Sequence, residues 1–154
     1  LQGVDGHIIR FDGDLAAIRW FQEYVEGTPV IAEASIGPYR GDGSRFSIAL
    51  GLPTVLGWDR HERQQRYYPE IAQRDQDVHD LYDSGSIERK REIIERYGIC
   101  FIIVGDVERW SAWPENPSRP YASSEGLAAL QAMVGTELDI AFEQNGTVVY
   151  RVLG

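Results

Sequence analysis

Apolar residues recur at helical spacing from Asp14 to Val25, where Leu15, Ile18, Phe21 and Val25 are accompanied by Ala17, Trp20 and Tyr24. That spacing predicts an amphipathic helix, with acids in its first turn suited to the helix dipole and Gly27 ending it. Then the pattern changes. Pro29 to Ala34 is a continuous apolar run with Val and Ile, the sign of a strand covered on both faces. Ser44 is placed to cap a short helix through Leu50, and Gly51 and Pro53 stop it before Thr54-Val55-Leu56, a brief second strand. The charged stretches Asp59 to Tyr68 and Asp75 to Tyr82, interrupted by Pro69, predict one or two surface helices.

Ser86 caps a further helix that runs to Tyr97, with Glu88 in the first turn and Ile87, Ile94 and Tyr97 on one side. Gly98 then leads into the strongest strand, Ile99 to Val104. From Gly105 to Ala122 there is no period and there are three prolines, Pro114, Pro117 and Pro120, so an extended loop that packs over a site is expected. A short helix from Ser124 to Met133 follows. The chain closes on Asp139 to Glu143 and Thr147 to Val152 around Gln144-Asn145-Gly146, a clear hairpin signal.

Helix–strand alternation over most of the length implies an α/β fold: a mainly parallel sheet flanked by helices on both faces, Rossmann-like and three-layered, with a C-terminal antiparallel β-hairpin. Residues 1–13 read as a leading segment or linker, and 14–154 as a single α/β domain. With 154 residues, 43% of them hydrophobic, the chain is long enough to bury a core without disulfides or a metal. Its apolar runs fall far short of the roughly 18 residues of a membrane span, so this piece is expected to be soluble and not to insert directly in a membrane. A start at Leu1, without a charged n-region and apolar h-region, is expected of a piece of a longer chain.

The net charge of −9, with arginines dispersed among acids, argues against nucleic-acid binding and against lying flat on anionic lipid. The lone cysteine, Cys100, sits in a β-branched run and is expected to be a buried thiol.

In open α/β sheets ligands bind where strands end, so the loops after Ala34, Leu56 and Val104 should meet at one edge. They carry Glu33, Tyr39, Arg45, Trp58, His61, Glu62, Asp106 and Glu108, which are the ligand-binding candidates. Arg45, in a first helical turn, has two readings: an anion site, or a structural bridge to Glu33 or Glu62. Trp58 could stack on a sugar or isoprenoid, or close the core below its loop. His61-Glu62 lacks the second histidine of a zinc peptidase, since position 65 is Gln, and reads as a helix cap or polar network member, or as a general base.

Gly41-Asp42-Gly43 is neither a dinucleotide fingerprint nor a P-loop, because Phe46 stands where a third glycine belongs and no Gly-Lys-Ser/Thr follows. Asn145-Gly146-Thr147 matches a glycosylation acceptor but is explained by its turn. No catalytic residue, metal site or cofactor is identifiable from the residues.

Taken in order, Pro29-Val-Ile-Ala-Glu-Ala34, Ser44-Arg-Phe-Ser47, Gly51-Leu-Pro-Thr-Val-Leu-Gly-Trp58 with His61-Glu62, Asp77-Val78 with Leu81-Tyr82, and Tyr97-Gly-Ile99 with Ile102-Ile-Val-Gly105 and Glu108-Arg109 form a series. This series resembles the "YYY" multi-pass membrane proteins of archaea and bacteria. Asp14-Leu-Ala-Ala-Ile-Arg-Trp20 and Gly146-Thr-Val-Val-Tyr-Arg-Val152 fit as well, so the resemblance spans nearly the whole chain. It implies the soluble part of a membrane-embedded glycosyltransferase of the polyprenyl-phosphate-sugar type, on the extracytoplasmic face. Its partners would be its own transmembrane body and a lipid-linked sugar donor or acceptor, and catalysis, with any divalent metal, would belong to that body. The alternative is a non-enzymatic module that recognises a cell-envelope partner.

Overall fold

The computed structural model describes residues 3–6, 8–34, 45–55, 68–113 and 116–154. Ser44, Leu56 and the charged stretch 59–67 lie outside them. A 3-10 turn at Val4–Gly6 precedes helix α1, Asp12–Tyr24. Strand β1, Val30–Ala32, is followed by α2, Arg45–Leu50, and by α3, Tyr68–Asp83. Pro69 falls in the first turn of α3, where no intrahelical N–H is required, so it starts that helix instead of breaking it. Helix α4, Ile87–Tyr97, is punctuated as the sequence demands. Ser86 Oγ accepts from the Arg89 N–H at 3.2 Å, and Gly98 takes the left-handed conformation at φ 62°.

Strand β2, Ile99–Val104, leads into a five-residue helix α5, Asp106–Trp110, and a small ribbon of β3, Ala112–Trp113, with β4, Asn116–Pro120. The extended loop expected over Gly105 to Ala122 is therefore, among the described residues, a helix and a two-stranded ribbon; Pro117 and Pro120 stand in β4, where a strand with an open edge tolerates a missing N–H. Helix α6, Ser124–Ala132, precedes the hairpin of β5, Leu138–Gln144, and β6, Thr147–Val152. Asn145 and Gly146 both have positive φ, 50° and 84°, the two-residue turn that matches strand twist.

The main sheet has four strands in the order β1-β2-β6-β5. Only β1 and β2 run parallel; β2–β6 and β6–β5 are antiparallel. The sheet is mixed and mostly antiparallel, so the mainly parallel, Rossmann-like three-layer arrangement is not what forms. Two features account for the difference. The parallel part is only the β1–β2 pair, and the closing hairpin, set antiparallel against β2 with β5 at the edge, makes up half of the sheet. In addition, Thr54 contributes a single bridge to Ile31, not a second parallel strand. A continuous apolar run reports burial on both faces, and a central antiparallel strand covered on both sides satisfies that as well as a parallel one does.

Alternate residues of β2 feed two cores. Phe101 and Ile103 join Ala17 and Phe21 of α1, Phe46 of α2, and Val149. On the opposite face Ile102 and Val104 pack with Val78, Leu81 and Tyr82 of α3, Ile93 and Ile94 of α4, and Leu130 of α6. Val4 and Ile9, ahead of α1, are also buried. Cys100, expected inside, is only half-buried, at the margin of the core that α1 covers. Among the described residues no helix is long and apolar enough to cross a membrane.

Lys90 of α4 is fully buried, and its ammonium donates to the Leu81 carbonyl in the last turn of α3, where the helix dipole favours a cation. Burial pushes this amine down to about 8, partly opposed by Asp83 and Asp80. Because the unfolded chain keeps its lysine protonated up to 10.5, the folded form gains stability as pH rises above 8. Urea unfolding across that window should show the wild type gaining on Lys90→Met; parallel profiles would show an ordinary amine.

Candidate functional site

The expected edge at the ends of β1 and β2 exists, and a buried ion cluster stands on it. Glu33 directly follows β1, Arg45 opens α2, Glu108 lies in the first turn of α5, and Asp14 projects from the first turn of α1. The Arg45 guanidinium reaches all three acids. Its Nε lies 2.5 Å from Asp14 Oδ2, its Nη2 lies 2.8 Å from Glu108 Oε1, and its Nη1 lies 3.1 Å from Glu108 Oε2 and 3.5 Å from Glu33 Oε1. The Arg45 side chain is 10% exposed and that of Glu108 is wholly buried.

Each carboxylate has a second task. Glu33 accepts the Phe46 N–H at 3.1 Å and the Ser47 N–H at 2.8 Å, so it caps α2 from outside that helix. Glu108 accepts the Ala34 N–H at 2.9 Å and the Gly105 N–H at 2.7 Å, tying the ends of β1 and β2 together. Asp14 accepts the Thr147 hydroxyl at 2.8 Å, which brings in β6. Behind the cluster, the Tyr82 hydroxyl of α3 lies 2.9 Å from the Ala32 carbonyl and 2.7 Å from that of Ile103. Among the described residues, the ends of β1 and β2 and the start of α2 are thus held by side chains, several of them from distant parts of the sequence.

The electrostatics follow from burial and from the imbalance of three acids against one guanidinium. Burial pushes Glu33 up to about 7, against Arg45 and the two amides that favour its ionised form. Asp14 is raised too, again first by burial. Burial works against the Arg45 cation, but Glu108 and Asp14 outweigh it and the guanidinium is held charged. Burial likewise raises the Tyr82 hydroxyl well above its ordinary range, so it remains a neutral donor.

Of the eight candidates, the structure brings together Glu33, Arg45 and Glu108. Asp106 lies on the same short helix but faces away, accepting the Arg10 N–H at 3.0 Å and standing 3.8 Å from Arg109. Tyr39, Trp58, His61 and Glu62 lie outside the described residues. Asp14 and Thr147 escaped sequence reasoning. Asp14 carried a usable signal, because it stands on the buried stripe with Ala17 and Phe21, three and seven residues on, while Leu15 is 58% exposed. Gly13 carried another: a side chain there would strike Thr147 and the β5–β6 turn.

Of the two readings of Arg45, the structural bridge to Glu33 is present, extended by two more acids. Among the described residues no group of three His, Cys, Asp or Glu side chains is placed to hold a metal.

No protein-family model matches the sequence, and no curated protein does. The fold has a solved counterpart. The C-terminal globular domain of an oligosaccharyltransferase from Archaeoglobus fulgidus superposes with a TM-score of 0.59, covering 95% of this chain and 100% of that one at 11% identity. At that identity the likeness is one of fold, and it runs end to end.

Arg45→Met should cost about 3–5 kcal/mol in chemical unfolding near neutral pH, since it strands three buried acids. The loss should shrink in acid, where the carboxyls take up protons. Gly105→Ala tests the same packing without changing charge. A Cβ there would stand 2.5 Å from Asp14 Oδ1 and 3.1 Å from Arg45 Nη2, so about 1–3 kcal/mol should be lost, and an unchanged midpoint would refute the crowding.

Proposed function

We propose that this chain is the globular, extracytoplasmic domain of a membrane-embedded glycosyltransferase of the lipid-linked-sugar type. In this reading it helps recognise the donor headgroup or the acceptor and does not catalyse transfer by itself. The observation that carries the proposal is the end-to-end likeness of fold to the oligosaccharyltransferase domain. The resemblance of the sequence series from Pro29 to Arg109 to multi-pass glycosyltransferase-like proteins points the same way.

The ion cluster contributes by anchoring. Segment 35–44 joins Ala34 to Arg45, and segment 56–67 leaves from Val55, so the segments bearing Tyr39, Trp58, His61 and Glu62 start or end beside the cluster and its core. Trp58 would offer a flat apolar face to a sugar or isoprenoid, and His61 a polar contact to a headgroup. The catalytic carboxylates and any divalent metal are assigned to the membrane body.

A thermal-shift panel tests this, with short-chain prenyl-phosphate sugars, sugar phosphates, nucleotide sugars and divalent metals as additives. A ligand at a hundredfold excess over its Kd stabilises by about 2.7 kcal/mol. A prenyl-phosphate sugar should raise the Tm of the wild type, and the rise should vanish in Trp58→Ala and His61→Ala, whose own Tm values stay close to wild type. Sugar transfer by this chain alone in detergent-free solution would overturn the reading. So would a panel in which nothing shifts the wild type.

A further inference from the structure

At the other end of the sheet from the Arg45 cluster, where α1 ends and β2 begins, the surface folds into a groove of about 530 Å³. Its walls come from α1, β2 and β6. Trp20 and Tyr24 stand one turn apart on α1, Phe101 belongs to β2 and Arg151 to β6, and Glu26 lies on the chain that leaves α1. None of these borders a segment outside the described residues. Trp20 is fixed from behind: its ring lies edge-on to Phe21 and Phe101, at 5.2 and 6.1 Å between centroids, and 6.0 Å from Phe142 of β5. Tyr24 follows at 6.2 Å and is 66% exposed. The groove thus presents an aromatic wall whose larger ring is already held, so little rotamer freedom is lost when a ligand settles on it.

Charge narrows what fits there. The Arg151 guanidinium and the Glu26 carboxylate line the same groove, and Asp139 of β5 stands 3.3 Å from Arg151. An organic anion would meet Glu26 and Asp139, an organic cation would meet Arg151, and a hydrocarbon chain would take water from these groups without replacing its hydrogen bonds. A neutral ligand rich in hydroxyls escapes all three costs. Its oxygens accept from the guanidinium, its O–H groups donate to the carboxylate, and its C–H face lies on an aromatic ring. Pyranose sugars combine one apolar face with a rim of hydroxyls, and the volume lies within the usual range of small-molecule sites.

We propose that this groove is a saccharide-binding site, in which a neutral pyranose stacks on Trp20 and Tyr24 and hydrogen-bonds to Arg151 and Glu26. It stands apart from the Arg45 edge, so it binds or fails to bind whatever the fate of the transferase reading.

The experiment is a proton–nitrogen NMR titration of the whole chain with maltotriose, mannotriose and triacetylchitotriose, with choline, glucose 6-phosphate and geraniol as comparisons. At least one trisaccharide should move the Trp20 indole N–H and the Tyr24 and Arg151 amides saturably. Tyr24→Ala and Arg151→Gln change exposed side chains, so their Tm values should stay near wild type while each weakens that binding by about fivefold. Trp58→Ala and His61→Ala should leave it unchanged, which separates this site from the headgroup contact proposed above; loss of sugar binding in either would overturn the groove as the site. So would trisaccharides that leave the Trp20 indole unmoved, sugar shifts that map elsewhere on the chain, or choline, glucose 6-phosphate or geraniol moving the same signals at lower concentration than any sugar. If Tyr24→Ala or Arg151→Gln fails to fold, the wild-type shift map and its ranking of the six compounds decide the matter.

Discussion

One guanidinium shared by three buried carboxylates is the constraint around which the rest of this domain is arranged. Arg45 sits where α1, the end of β1, α2 and α5 converge, and each acid that holds it also satisfies a backbone or side-chain donor of another element. Burying such a cluster is costly in itself, and its net contribution to stability is small beside the cost of breaking it. Its effect is geometric. Placing a carboxylate on the inner stripe of α1 turns that helix so that Leu15 faces outward, and it requires glycine at position 105, where a Cβ would meet Asp14 and Arg45.

The same geometry bears on what the edge can recognise. Arg45 directs its guanidinium to acids of its own chain, so the cluster works as a foundation that holds the strand ends and helix starts of this edge together. A scaffold of this kind suits a domain shared at the level of fold with an oligosaccharyltransferase at 11% identity. Sheet order and helix placement can persist when almost every side chain differs, because they depend on which faces are apolar and not on which apolar residue fills them.

Much of the secondary structure was legible because it is set locally. The Ser86 cap and Gly98 stop of α4, the apolar β2 run and the Asn145-Gly146 turn each depend on residues within a few positions. Sheet direction was legible only at the closing hairpin, whose turn makes it antiparallel; helix–strand alternation elsewhere does not reveal that only β1 and β2 run parallel. The stretch from Gly105 to Ala122 misled for a related reason: its prolines forbid a central strand but not a five-residue helix followed by a two-stranded ribbon. Within the site, Glu33, Arg45 and Glu108 were found from their positions after strands and at a helix start. Asp14 was read only as a first-turn acid suited to the helix dipole, because its partners Arg45 and Thr147 lie 31 and 133 residues away.

The sequence by itself determined the capped helix from Ser86 to Tyr97, the apolar strand that follows it, the turn of the closing hairpin, and the placing of Glu33, Arg45 and Glu108 after strands and at a helix start. Those are consequences of periodicity, capping and turn chemistry, whose range is a few residues. Only the tertiary structure decided that β6 enters the sheet beside β2, that α1 turns Asp14 inward, and that three acids close on one guanidinium. Each of these depends on groups far apart in the chain, and the free energy that selects them, the compensation of buried charge and the fit of one face to another, exists only once the chain has brought those groups together.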